Sequence, residues 1–292
     1  LLYSATGKPG YLSAAVQGYA KLDRQALLAD GLHSCSEHIQ GKGARDMHET
    51  CDITDHTWAL AYLLQATGQA HYADRIERVI FNALPGAITK DFRALQYFSC
   101  PNQVIATSTS NHEPFMHGLN WMSYRPDHEV QCCPGNLHRA MPNFISKMWM
   151  RDAQGGITAA LFGPGVLKTT VGLDQTPITI TAQTRYPYQQ SVEFTFQPAH
   201  PVAFAFSARV PAWCAHPSLS VNGKMAEVVL HPGCFFTLER LWQSGDQIRL
   251  ELPFELSLER WPGGGVSLTY GPLTLALPVP ARAEIESVNS TT

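Results

Sequence analysis

Two kinds of periodicity divide the chain. Up to about residue 152 the apolar positions recur at helical spacing, and from about 156 to 280 they alternate. Between Tyr72 and Leu84 the apolar residues Tyr72, Ile76, Val79, Ile80 and Leu84 are separated by Asp74, Arg75, Glu77 and Arg78, the pattern of a half-buried helical face. Runs of this kind predict helices at about 10–28, 52–66, 70–84 and 135–150, with long loop-like segments at 29–48 and 85–131. Loops of that length in a compact domain usually carry function. In the second half, 178–182, 192–196, 204–206 and 250–252 keep period two. Turn signals stand between them at Asn222-Gly223, Pro232-Gly233, Ser244-Gly245-Asp246 and Gly271-Pro272. Short strands so punctuated predict an antiparallel β-sandwich.

The helical half repeats itself. Leu1-Leu2-Tyr3-Ser4-Ala5-Thr6-Gly7 and the following Tyr11 resemble Leu63-Leu64-Gln65-Ala66-Thr67-Gly68 and the following Tyr72, with an offset of 61 residues. In each copy an apolar helix end meets Thr-Gly, a short polar turn follows, and a Tyr opens the next helix. Glycine just past a helix end is the expected left-handed terminator. Repeating antiparallel helix pairs predict an α/α toroid or solenoid. The fold class is therefore α + β and multidomain, with residues 1–155 helical, 156–282 a β-sandwich and 283–292 a tail. The first residues read as the end of a helix already under way, so the chain is expected to be a piece of a longer protein.

Composition narrows the function. Of 292 residues 45% are hydrophobic and 15% charged, enough apolar surface for a real core and too little charge for disorder. The formal net charge is −3 and no Lys/Arg block occurs, which argues against nucleic acid and anionic membranes as partners. No run of about 18 apolar residues is present, so no membrane-spanning helix is expected. An oligomer is compatible with this composition. The seven cysteines (Cys35, Cys51, Cys100, Cys132, Cys133, Cys214 and Cys234) are odd in number and irregularly spaced, which is not a disulfide framework. They fit a reducing compartment such as the cytoplasm, or thiols protected by a metal. Cys214 and Cys234 lie in strand-like sequence and read as small buried hydrophobes.

The candidate chemistry lies in two remote segments. Cys132 and Cys133 are adjacent, which disfavours a disulfide between them. Glu49, Thr50 and Cys51 lie about eighty residues upstream. Three thiols and a carboxylate can hold zinc in a four-ligand set. Neither pair converges on one ion from within a regular helix, so both must sit at irregular backbone or a helix entry. Asp52 and Thr54 can cap such an entry, and Pro134 favours the first turn of a helix with Cys133 near its N-cap. Sulfurs there would lie at the positive end of the helix dipole, where a thiol ionises more easily. The competing reading makes Cys132 and Cys133 packed core thiols and Glu49 a helix cap. Glu37 lies in a polar loop twelve residues before Glu49 and is either a general acid/base or a solvated loop carboxylate. The histidines, including His33, His48, His56, His117 and His128, read singly as hydrogen-bonding residues. Tyr97, Phe98, Phe115, Trp121 and Tyr124 would suit sugar stacking but read individually as core.

Several of these stretches resemble glycoside hydrolase family 127. They are Glu49-Thr50-Cys51, the run from Tyr72 to Pro85 and Cys132-Cys133-Pro134-Gly135-Asn136-Leu137-His138. Thr184–Pro187, Arg209–Trp213, Val221-Asn222-Gly223, Trp242 with Gly245-Asp246 and Tyr270-Gly271-Pro272-Leu273 carry the resemblance into the second half. The resemblance implies an (α/α)6 barrel followed by β-sandwich domains, with a carbohydrate as substrate, β-L-arabinofuranosides first. It implies Zn2+ held by Glu49, Cys51, Cys132 and Cys133, with Cys132 as nucleophile and Glu37 as the matching acid/base. Retaining hydrolysis through a thiolate follows. The alternatives are a non-catalytic protein stapled by zinc that binds carbohydrate or a partner, and a polysaccharide lyase on the same kind of toroid. A full barrel needs twelve helices, and four or five are legible here.

Overall fold

The computed structural model describes residues 1–107, 109–110, 112, 121–280 and 282–284. Phe115, His117 and most of the 283–292 tail lie outside the described residues. The helical half comprises α1 (Leu2–Thr6), α2 (Pro9–Ala26), α3 (Thr50–Thr67) and α4 (His71–Arg78). A π-helical turn (Val79–Ala83) continues α4 into α5 (Leu84–Ala87), and α6 (Cys132–Leu137) and α7 (Ala140–Ile145) follow. The repeat is structural. Gly7 (φ 65°) and Gly68 (φ 66°) each end a helix in the left-handed conformation, with the glycine N–H donating to Tyr3 O and Leu64 O. A Cβ at Gly68 would meet nothing within 4 Å, so only the backbone conformation opposes it. Gly68→Ala should therefore cost about 1 kcal/mol, read as a shift in the urea unfolding midpoint.

The helices share one core, in which Ile53, Leu60 and Leu64 of α3 pack with Tyr72 and Ile76 of α4, Ile80, and Phe144 of α7. The expected helix at 135–150 is instead two short helices, and a strand begins at Trp149. Pro142 explains the break. It sits in the first turn of α7, where its missing N–H is harmless, but it cannot continue a helix from α6.

Small strands pin the loops. β1 (His48–Glu49) pairs antiparallel with β2 (Phe98–Ser99), His48 facing Ser99 and Glu49 facing Phe98. The second half begins with β3 (Trp149–Arg151), β4 (Ile157–Ala159), β5 (Gly165–Val171), β6 (Thr176–Gln183), β7 (Ser191–Pro198) and β8 (Val202–Val210). It continues through β9 (Ser218–Val221), β10 (Lys224–Met225), β11 (Cys234–Trp242), β12 (Gln247–Glu251), β13 (Leu256–Arg260), β14 (Val266–Tyr270) and β15 (Leu273–Leu275). One sheet has the order β10-β9-β12-β7-β6-β5, a second β11-β8-β4-β3 and a third β13-β14-β15. All pairings are antiparallel except β4 with β8. The alternating positions of the first two sheets meet in a single core of Ile180, Phe194, Phe196, Phe206, Trp242, Ile248 and Leu250. Phe196 stacks on Trp242 at 4.2 Å between ring centroids. Each such side chain contributes roughly 1.5–3 kcal/mol by leaving water.

Asn222 (φ 52°) and Gly223 (φ 76°) turn β9 into β10, as a two-residue hairpin with both residues left-handed requires. Cys214 is buried as expected, though in a turn rather than a strand, whereas Cys234 is exposed at the start of β11. The two halves are tied by Arg209 of β8, which is fully buried against Asp74 and Glu77 of α4.

Candidate functional site

Four loops and helix ends converge on one point. The N-terminus of α3 is fixed by a reciprocal cap: the Glu49 side chain accepts from the Asp52 N–H, and Asp52 Oδ2 accepts from the Glu49 N–H at 3.2 Å. Glu49 is thus a helix cap whose carboxylate also faces the thiols, and the expectation that Asp52 caps this entry holds. β1 aims Glu49 inward. The Thr50 N–H donates to Tyr97 O at 2.9 Å, and Thr50 Oγ1 donates to Gln96 O at 2.6 Å. Beneath, Tyr97, Phe98, Trp121, Met122, Met47 and Cys133 form a small buried cluster. The aromatic residues Tyr97, Phe98 and Trp121 are therefore core, while Tyr124 is exposed.

α6 begins at Cys132 with Gln131 as its cap, so both sulfurs lie in the first helical turn and Pro134 is the third helical residue. Cys133 is the second helical residue, near the N-cap as the sequence implies, and the cap itself is Gln131. The proline still sits where a missing N–H costs nothing.

The donor set is compact. Glu49, Cys51, Cys132 and Cys133 each offer an atom within 4.8 Å of the others. Cys51 Sγ lies 3.4 Å from Cys133 Sγ, and Glu49 Oε1 lies 3.2 Å from Cys133 Sγ and 3.4 Å from Cys132 Sγ. In a tetrahedral zinc site with bonds of about 2.3 Å to sulfur and 2.1 Å to oxygen, ligand atoms stand about 3.6–3.8 Å apart. The residues fit such an ion in number, type and spacing. Glu49 and Cys133 are buried and Cys51 is half-buried, while Cys132 is accessible to solvent.

The protein's own groups do not ionise these thiols evenly. Burial, the bond to Cys51 and the nearby Glu49 push the Cys132 thiol up to about 11, against the Tyr97 hydroxyl, which donates to Cys132 Sγ at 2.8 Å. The bond to Cys51, burial and Glu49 likewise raise Cys133. Cys51 is lowered, by its bond with Cys133 and, against burial, by the Asn136 amide. A dication among them would supply the missing positive charge and deprotonate all three.

Outer contacts brace the site. His48, fully buried, lies 2.7 Å from Asp30 through Nε2. Burial lowers its affinity for a proton, but the charge and hydrogen bond of Asp30 outweigh this and leave it raised. Glu37 is not among the four converging donor residues. It is exposed and stands at φ 69° in a tight turn, where the Ser36 N–H donates to His38 O and Cys35 bridges Ile39. Cys35 also bridges His48, and its carbonyl accepts from the Glu49 N–H at 2.9 Å, so this turn is moored to the strand that carries Glu49. Burial and the carboxylates of Asp52, Glu49 and Glu37 push the Cys35 thiol up to about 12.

Residues 2–146 match the β-L-arabinofuranosidase GH127 catalytic domain, and residues 156–254 match the β-L-arabinofuranosidase GH127 middle domain. The chain belongs to the GH127 family. A curated relative, the non-reducing end β-L-arabinofuranosidase of Bifidobacterium longum subsp. longum, is 25% identical over 242 residues. That alignment covers 77% of this chain and 34% of the relative. Among solved structures, a glycoside hydrolase superposes with a TM-score of 0.79 at 21% identity, covering 93% of this chain and 48% of that one. A GH127 β-L-arabinofuranosidase from Geobacillus stearothermophilus T6 gives 0.78 at 20% identity, covering 94% and 44%. The chain thus spans about a third of the curated relative's length and less than half of either structure's.

Within this GH127 chain the four ligands expected from sequence come together. Tyr97, Asn136 and the Asp30–His48 pair were not legible as site residues. Asn136 stands within the quoted Cys-Cys-Pro-Gly-Asn motif and Tyr97 among the aromatic residues, but only the folded loops bring their polar ends to sulfur.

Proposed function

We propose that this chain carries the thiolate half of a retaining glycoside hydrolase acting on β-L-arabinofuranosides or related sugars. The observation that supports it best is the cluster of Glu49, Cys51, Cys132 and Cys133, with its most accessible sulfur beside a buried tyrosine hydroxyl. In this reading the helices are part of an (α/α)6 barrel over residues 1–155, the sheets over 156–282 are a β-sandwich, and 283–292 is a tail. Glu49, Cys51, Cys132 and Cys133 would hold Zn2+. The ion would keep the sulfurs ionised and make the Cys132 thiolate a better leaving group.

The chain's own residues divide the work. Cys132 attacks the anomeric carbon from the accessible side, forming a carbon–sulfur bond as the glycosidic carbon–oxygen bond breaks. Glu37 protonates the departing oxygen, then removes a proton from the water that displaces sulfur, so configuration is retained after two inversions. Tyr97 orients Cys132 through its hydroxyl. The left-handed backbone of Glu37 favours a positioned side chain over a casual loop residue, since that conformation costs a non-glycine residue about 1 kcal/mol or more.

The test is covalent trapping. A haloacetamide of L-arabinofuranose should label Cys132 of the Zn2+-loaded protein, mapped by peptide mass, with free arabinose protecting against it. Labelling spread over the exposed Cys234 and Cys132 alike, without protection, would instead mark the cluster as a structural staple.

A further inference from the structure

The amide of Asn136 is caught between two partners whose chemistry fixes its orientation. Arg139 Nη2 donates to Asn136 Oδ1 at 2.8 Å, and the same nitrogen donates to Asp55 Oδ1 at 2.8 Å. A guanidinium can only donate, so it is the amide oxygen that must face it. The amide nitrogen is thereby turned to Cys51 Sγ, 3.2 Å away. Arg139 is held in turn by elements outside α6. Cys51, Asp55 and Trp58 follow one another at spacings of four and three along α3, which puts them on one face. Arg139 spans that face, paired with Asp55 and with its guanidinium carbon 5.4 Å from the centroid of the Trp58 ring.

The other ligands have their own supports. Glu49 is fixed by the reciprocal cap, Cys132 receives the Tyr97 hydroxyl, and Cys133 is fully buried. Cys51 is half-buried, and besides its contact with the thiol of Cys133, itself in the donor set, the side chain that points a donor at it is Asn136.

We propose that Asn136 is a positioning residue for the metal centre: its amide donates to Cys51 Sγ and, locked in that sense by Arg139, aims the sulfur at the bound ion. The inference rests on the metal-binding part of the function proposed above. A donor on a ligating sulfur fixes the side chain's rotamer and draws electron density from the sulfur. Loss of such an outer partner elsewhere weakens metal binding by about 10–100-fold.

Asn136→Asp isolates the effect. The carboxylate keeps the size of the amide and can still accept from Arg139, but it offers Cys51 no N–H. A purely structural role for Asn136 would survive this change. Zn2+ affinity would be measured by chelator competition on the whole chain, and Co2+ substituted for its sulfur-to-cobalt charge-transfer band. Asn136→Asp and Asn136→Ala should each bind Zn2+ about 10–100-fold more weakly and move that band. Arg139→Gln should weaken binding by less, since it frees the amide to flip without removing it. Affinity within twofold of wild type with an unmoved band in Asn136→Asp overturns the inference. Should the Asn136 variants fail to fold by circular dichroism, Arg139→Gln decides in the same way: weaker binding supports the inference, and unchanged binding and spectrum overturn it. A wild-type chain that takes up neither ion is a different failure, because it removes the metal centre itself.

Discussion

Cys132→Ser should abolish both arabinofuranose-directed labelling and hydrolysis of an aryl β-L-arabinofuranoside, while the protein keeps its fold. The position explains the separation. Cys132 is the accessible member of the four, at the start of α6, whereas Cys133 one residue later is completely buried. A serine hydroxyl at 132 can still accept from Tyr97, so the local packing survives. The chemistry does not survive, because a serine hydroxyl is far harder to ionise than a thiol and is a much poorer leaving group in the second step. Removing a covalent nucleophile costs about a thousandfold or more in turnover elsewhere. Cys133→Ser is the informative contrast. Both changes remove a proposed zinc donor, so bound zinc should fall in both, but only Cys133 lies inside the Tyr97–Trp121 cluster, so Cys133→Ser should lower thermal stability as well. The measurements are turnover, bound zinc per chain and melting temperature, side by side for the two variants. Wild-type turnover in Cys132→Ser would remove the nucleophile from the proposed mechanism.

The sequence carried more of the fold than of the site, for a physical reason. Period-two alternation survives folding because one face of each strand must meet the core, so 178–182 and 192–196 appear inside β6 and β7. The Thr-Gly helix ends were legible because few residues other than glycine tolerate φ near 65°. The helix expected at 135–150 failed because Pro142 outweighs the hydrophobic spacing around it. The four clustered donor residues were legible because sulfur pairs beside a helix-starting proline are unusual chemistry. The groups that tune them were not. Asp30, Tyr97 and Arg139 are ordinary residue types, and their roles arise from loops closing over 35 residues between Tyr97 and Cys132, or 18 between Asp30 and His48. No local pattern encodes such a closure.

Arg209→Met should destabilise the protein by about 3–5 kcal/mol, far more than the loss of one surface ion pair. Arg209 is fully buried and faces two carboxylates of α4: it pairs with Asp74, and its Nη2 lies 2.5 Å from Glu77 Oε2. Its Nε–H donates to Ala160 O at 2.8 Å, and its guanidinium lies over Phe162 at 4.9 Å. Glu77, itself fully buried, also accepts from the Tyr186 hydroxyl at 2.5 Å and from the Phe162 N–H at 2.8 Å. Methionine would replace the stem and leave Glu77 charged and unpaired between the helices and the sheets. Glu77→Gln removes the opposite charge but keeps one acceptor oxygen, able to serve either the Phe162 N–H or the Tyr186 hydroxyl, with Asp74 still beside Arg209. It should cost less, on the order of 1–3 kcal/mol. The pH dependence gives the sign. Burial already raises the Glu77 carboxyl above its ordinary range, with Arg209 opposing that rise. In Arg209→Met the opposition is gone, so the folded state binds a proton at Glu77 more readily than the unfolded chain does. Stability of the variant should therefore rise as pH falls toward the ordinary carboxylate range and fall as pH rises above it. Urea unfolding of wild type, Arg209→Met and Glu77→Gln at pH 5 and pH 8 measures both effects. A gap between wild type and Arg209→Met below about 1 kcal/mol at pH 8 would show that the ion network does not tie α4 to the sheets.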